Sequence, residues 1–321
     1  MKRLQNKIAE SSLILPIALV YAVGIWLIAL LNNETAAQHD PTLAIQLPEM
    51  VCLGASAYMM VELSNSNALI RVRSRMVTTT FLLLSCMYVS GFQSLLGNLG
   101  QLCFIATILI LFNTYQDNQS AGKTYYAFLC LGCGSLLYAE YLYYVPLLWI
   151  LMISRLQSLS WRTFIASILG IITPYWFVSL WLFYIWDFTP LTDHLSDLNS
   201  FIFPANYLSV TLEQLLVYIF LLAISITGII HFWQYSYEDK IHIRQLFGFF
   251  TVINLLTLLF IALQPHQYNA FIRIAIISAS PIVAHFLTLT KTRITNIAFF
   301  VILAIGITIT LTNLWMYFLN F

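Results

Sequence analysis

Charge is scarce in this sequence. Of its 321 residues, 14 are Lys or Arg and 13 are Asp or Glu, together 8% of the chain. A soluble domain carries about 25%. Hydrophobic residues make up 60%, and the mean hydropathy is +0.83. A chain this apolar lacks the polar surface needed to face water, so its solvent is a lipid bilayer. The formal net charge of +1 provides no global field to attract nucleic acid.

Cysteine and histidine are also sparse, and their placement excludes further classes. Cys52, Cys86, Cys103, Cys130 and Cys133 lie in or beside apolar runs, so no framework of paired cysteines in exterior loops is expected. Cys130 and Cys133 form "CLGC" with Gly132, Gly134 and Ser135, a run that suits close helix packing better than redox chemistry. A membrane iron oxygenase needs about four converging imidazoles. Here His231, His242 and His285 fall toward one face and His39, His194 and His266 toward the other, with no HxxH or HxxxH pair. No metal and no cofactor is expected. Neither a repeat nor a low-complexity tract appears, and 1–321 reads as a single transmembrane domain without a soluble domain.

Apolar runs near 20 residues, the length that crosses about 30 Å of hydrocarbon, occur at 12–31, 46–63, 76–95, 100–115, 124–139, 141–154, 163–186, 211–232, 245–263, 270–290 and 294–318. The fold expected is an all-α polytopic bundle of about 11 transmembrane helices. The pair 124–139 and 141–154 is short, leaving two spans or one long bent helix as alternatives. The opening "MKRLQNKIAESSLILPIALVYAVGIWLIALL" has a basic lead but no convincing small-residue cleavage site, and reads as an uncleaved first span.

Short loops rich in Lys and Arg stay cytoplasmic. With eleven spans and the N-terminus inside, the inner segments hold Lys2, Arg3, Lys7, Arg71, Arg73, Arg75, Lys123, Arg155, Arg162, Lys240, Arg244, Lys291 and Arg293, thirteen of the fourteen basic residues. The C-terminus is then outside, and merging the short pair destroys the pattern. The remaining cation is Arg273, in "QPHQYNAFIRIAIISASPIVAH", just inside the outer end of the tenth span. Outer acids accompany it: Glu34, Asp40, Glu49, Glu140, Asp187, Asp193, Asp197 and Glu213.

An arginine so placed either snorkels to the headgroups or offers its planar fork to a phosphate. In the second case His266, Gln267, Tyr268 and Asn269 are its neighbours, and the phosphate belongs to a lipid headgroup or a polyprenyl carrier. Glu140, in "LLYAEYLYYVP", is either a solvated carboxylate within an aromatic belt or a base in an aromatic cleft. The spacing of Asp187, Asp193 and Asp197 fits no known cation-binding loop.

The run "NALIRVRSRMVTTTFLLLSCMYVSGFQSL … AFLCLGCGSLLYAEYLYYVPLLWILMISRLQSLSWRTFIASILGIITPYWF" resembles an uncharacterised family of bacterial multi-spanning membrane proteins. More loosely, the layout is similar to C-type glycosyltransferases, which use polyprenyl-phosphate sugars. That resemblance implies a first-loop carboxylate, Glu34 or Asp40, as general base, with Glu140 as a second acid. Arg273, with His266 and Tyr268, would stabilise the departing lipid phosphate. The first outer loop, 32–45, is shorter here than is usual in that superfamily. Three functions are therefore carried forward for a protein of the bacterial inner membrane. One is a glycosyltransferase-like enzyme at the outer face. A second is a transporter or flippase of a lipid-linked or amphipathic substrate. The third is a non-catalytic subunit of an envelope assembly complex. The partners implied are membrane lipid, a polyprenyl-phosphate sugar and envelope assembly proteins.

Overall fold

The computed structural model describes residues 4–36, 43–72, 74–92, 94–196, 198, 207, 210–289 and 293–319. Every regular element among them is helical: α1 (Leu4–Ala9), α2 (Ile14–Ala36), α3 (Leu43–Ser66), α4 (Met76–Met87), α5 (Val89–Phe92), α6 (Leu95–Phe112), α7 (Ala121–Leu137), α8 (Tyr144–Leu151), α9 (Trp161–Ile185), α10 (Thr189–Ser196), α11 (Leu212–Tyr235), α12 (Ile241–Leu263), α13 (Tyr268–Leu289) and α14 (Arg293–Leu319). Helices are the expected outcome for apolar runs in lipid, because each helix satisfies its own backbone polar groups. Among the described residues, six stretches are long and apolar enough to cross a membrane: α6, α9, Leu212–Glu238, α12, Pro265–Leu289 and Thr295–Met316. Ile14–Ala29 and Met76–Met87 are apolar but shorter.

The ambiguous segment 124–154 is a helical hairpin. A 3₁₀ turn over Ala139–Tyr143 joins α7 to α8, and α8 runs on through a π turn, Met152–Leu156. Gln116 N–H donates to the Leu156 carbonyl at 2.8 Å. A single helix over 124–154 would hold its ends about 45 Å apart. The reversal occurs at Tyr138, which leaves the helix at φ −139°, ψ 105°.

Contacts between connections define two ends of the bundle. At one end Ser74 Oγ donates to the Ala9 carbonyl, Gln5 Nε2 donates to the Leu287 carbonyl, and Arg71 meets Glu238. Arg155 bonds Gln245, and Ser160 Oγ donates to the Asn118 carbonyl. Because Arg71, Lys123, Arg155, Lys240 and Arg244 gather here, this is the basic end. At the opposite end Tyr88 reaches Asn269, Glu213 reaches Ser90, and His194 reaches the Ser135 carbonyl.

The core is organised around α13, which packs against α4, α6, α11 and α12. Nineteen of its residues are buried, Arg273 and His285 among them. Pro281 stands inside this helix and removes the bond that the Ile277 carbonyl would receive. Ser280 Oγ donates to that carbonyl instead, at 2.9 Å, while Thr80 Oγ1 donates to the Ser280 carbonyl at 3.0 Å. The small residues of the CLGC run do allow close packing. A Cβ on Gly132 would lie 3.0 Å from the Ile171 carbonyl oxygen and 3.0 Å from the Pro174 ring, and the five cysteines are unpaired.

Candidate functional site: two polar centres on one helix

The first centre lies at the basic end. Asp239 precedes α12, where the positive end of the helix dipole favours an anion. His285 Nε2 is 3.0 Å from Asp239 Oδ2, and Arg71 Nε is 2.9 Å from Asp239 Oδ1. The His285 and Asp239 side chains are 0% and 1% exposed, and Arg71 is 32% exposed. Arg71 Nη1 also donates to Glu238 Oε2 at 2.7 Å. An ionised carboxylate only accepts, so His285 donates its Nε2–H and leaves Nδ1 facing inward, without a hydrogen-bond partner.

Phe247 and Phe232 pack against the His285 ring at 4.9 and 5.3 Å, and the His231 ring lies 5.6 Å away. His231 Nδ1 is likewise unpartnered. Among the described residues no three His, Cys, Asp or Glu side chains are grouped to hold a metal. Asp239 is thus shared, with one oxygen against Arg71 and the other against His285.

Sequence reading placed His231 and His285 on one face but found no constellation there. Arg71 and Asp239 are 168 positions apart, and only folding brings their loops together. Nothing local marks Asp239, which stands beside Glu238 and Lys240 as one charge among several in its connection.

The second centre lies at the opposite end. Arg273 does not snorkel: it is 4% exposed. Its Nη1 donates to Asn98 Oδ1 at 2.6 Å and its Nη2 to the Gly91 carbonyl at 2.8 Å. The Tyr88 ring centroid is 5.9 Å from the guanidinium carbon. Gly97 makes this possible, since a Cβ there would stand 2.3 Å from Nη2. Glu49, 7% exposed, is within electrostatic reach of Arg273. Tyr88 Oη donates to Asn269 Oδ1 at 2.5 Å, and Glu213 accepts from the Ser90 N–H at 3.1 Å.

The residues anticipated as a phosphate site are not arranged together around open space. Tyr268 is buried edge-on against Tyr88 at 5.7 Å, whereas His266 is exposed on the 3₁₀ turn Pro265–Gln267. The cavity beside Arg273 has a volume of about 10 Å³, room for about one water. Glu140 is half-buried on the turn between α7 and α8, where Tyr138 and Tyr141 stack at 6.0 Å. Asp40 and the side chain of Glu34 lie outside the described residues, as does Asp197. Asp187 is exposed, and hydrogen bonds from the Thr189 hydroxyl and N–H hold its carboxyl below the usual range. Its partners are local, as expected for a helix-entry loop.

An apolar groove of about 200 Å³ opens between α8 and α12 in this half of the bundle, lined by Tyr143, Tyr144, Leu147, Phe260, Leu263 and Phe271 among others. Comparison with protein families, curated proteins and solved structures finds no match.

Proposed function

We propose that this protein is a transporter of an amphipathic or lipid-linked substrate in the bacterial inner membrane. The chain would cross eleven times, with the basic end in the cytoplasm and the C-terminus outside. Support for the count comes from the alternation of connections between the two ends and from the α7–α8 hairpin. Support for the orientation comes from the gathering of Lys and Arg at one end.

The observation that carries the transport reading is the carboxylate of Asp239, buried and shared between Arg71 and His285. Ionisable groups are costly inside a membrane protein and mark ion and proton pathways. Through its two oxygens Asp239 ties Arg71, and with it the 68–72 connection, to His285 on the central helix, so a change in that carboxylate's partners would loosen the connection. The groove between α8 and α12 has the apolar, aromatic lining suited to an acyl or prenyl tail.

The test uses liposomes carrying the full chain and a fluorophore-labelled polyprenyl phosphate. Movement between leaflets is read by a membrane-impermeant quencher. Wild-type protein should expose more than the outer-leaflet fraction and yield no covalent product. Asp239→Asn should lose most of that activity; because it strips Arg71 and His285 of their buried carboxylate it should also lower the thermal midpoint, so activity is compared at a temperature where both proteins are folded. Equal quenching in protein-free liposomes sinks the proposal.

A second reading keeps an enzyme at the outer face, transferring sugar from a polyprenyl phosphate. What favours it is the burial of both Glu49 and Arg273, an acid and a guanidinium at the end assigned to the outside. A labelled-sugar transfer assay separates the two readings, because only the enzyme forms a new covalent product.

A further inference from the structure

Two cavities at the basic end border the starts of the same two helices, α2 and α4. The polar one, of about 520 Å³, is lined by Glu10, Ser11, Ser12, Asn65, Ser74 and Arg75 among others. The apolar one, of about 250 Å³, lies between α2, α4 and α14, with Ile14, Ala18, Met76, Leu83, Phe299 and Leu303 in its walls. The chain passes from one to the other twice. Ser12 lines the first and Ile14 the second; Arg75 lines the first and its neighbour Met76 the second. Ser74 Oγ donates to the Ala9 carbonyl and accepts from the Met76 N–H at 3.2 Å. That pair of bonds holds the start of α4 against the connection between α1 and α2.

From this pairing we propose that the basic end holds one glycerophospholipid with a phosphoethanolamine head, the head in the polar cavity and an acyl chain in the apolar one. Arg75 is exposed and takes part in none of the ion pairs among the described residues. Its planar fork is therefore free to meet a phosphate bidentately. Ser11 Oγ accepts from the Leu13 N–H at 3.2 Å, which leaves its O–H to donate to a phosphate oxygen. Glu10, in the same cavity, repels a head that is only anionic. An ammonium beside the phosphate reverses this, because it donates to the Glu10 carboxylate, a group that accepts from several partners at once. A cavity lined by one base and one acid suits a zwitterion. Choline has the same charge as ethanolamine, but its methylated nitrogen has no N–H to donate.

The two cavities have different tasks. A tail gains little by leaving bulk lipid for a protein groove, since the two are equally apolar. The groove therefore fixes where the chain lies, and the head contacts decide which lipid is kept. No residue of the Asp239 centre takes part, and binding requires no movement between leaflets. The site thus stands or falls apart from the transport reading.

The experiment is native mass spectrometry of the full chain, stripped of lipid in detergent and titrated with dioleoyl phosphatidylethanolamine, phosphatidylglycerol or phosphatidylcholine. Wild-type protein should retain one phosphatidylethanolamine, with an apparent Kd about tenfold below that of the other two lipids. Arg75→Gln should weaken phosphatidylethanolamine about tenfold, the loss of one charge-assisted contact. Glu10→Gln should erase the preference over phosphatidylglycerol. Both side chains are exposed, so both variants should fold, and their thermal midpoints check this. Glycerophosphoethanolamine, which has no tails, should fail to displace the bound lipid. Equal wild-type affinity for the three lipids would mean unselective boundary lipid only, and would overturn the proposal. A preference for phosphatidylglycerol, or a preference that neither variant alters, overturns it as well. Displacement by the free head at equal concentration would remove the groove from the site and sink the proposal as stated.

Discussion

Two stretches of this chain are matched in length and in hydropathy. Trp161–Ile185 and Pro265–Leu289 are each 25 residues long, with nearly equal mean hydropathy and one internal proline near the middle. Yet within an 18-residue apolar window of each, 17% of the first is buried in the bundle and 94% of the second. The buried positions of α9 are Thr163, Ser167, Gly170, Pro174 and Leu182, a stripe at helical spacing that faces α7 and little else. Its Trp176, Phe177, Trp181 and Tyr184 are exposed. The central helix, α13, buries small, polar and large residues all round. In lipid the apolar side chains do not reveal which helix is central, because lipid tails are as apolar as leucine. The polar residues do: α13 contains Arg273, Ser278, Ser280 and His285, and each is 4% exposed or less.

The sharpest way to break this comparison is to truncate matched residues. Ile277 on α13 is 0% exposed and Leu180 on α9 is 50% exposed. Ile277→Ala leaves a cavity that neighbouring helices cannot fill, and should cost about 2–5 kcal/mol. Leu180→Ala leaves a gap that lipid fills, and should cost under about 0.5 kcal/mol. Denaturation midpoints of the two purified variants check this, and equal losses would mean that α9 is covered by something besides lipid.

A smaller effect should appear at Gly97. An added methyl group there meets the Arg273 guanidinium, and overpacking of this kind costs about 1–3 kcal/mol. Because the clash is with one side chain, Arg273→Gln should relieve part of it. The double variant should then be more stable than the sum of its singles by about 1 kcal/mol, as expected of residues in contact. Strict additivity would show that Arg273 has room to move, and would loosen the argument for a confined cavity beside it.

The difference between the two helices also explains what the sequence made legible. Apolar runs announce helices, and the basic connections announce which ends share a face, since both signals are local. Arg273 stood out because it alone broke the charge pattern. Its direction was not legible: turning inward needs Gly97 to leave space and Asn98 to accept, and those residues are 175 or more positions away. The Asp239 centre was less legible still. In the sequence Arg71 is one of several charges in a basic loop, Asp239 is one of two adjacent acids in another, and His285 is an isolated imidazole. Burial came from α11 and α12 closing over them, which no periodicity in either loop records. Glu49 was noted among the outer acids, but nothing local marked it as buried.

The least disruptive test concerns how the peripheral helix is attached. Ser160 caps α9: its Oγ accepts from the Thr163 N–H at 3.3 Å, and Thr163 Oγ1 accepts from the Ser160 N–H at 2.7 Å. The same Ser160 hydroxyl donates to the Asn118 carbonyl at 2.8 Å, tying the start of α9 to the connection before α7. Ser160→Ala removes the cap and the tie together and should cost about 1 kcal/mol. Since α9 is held along one stripe, the loss should appear as faster hydrogen exchange in its first turns, with the α13 amides unchanged. If protection falls in α13 as well, the two helices unfold as one unit and the periphery is less separate from the core than burial implies.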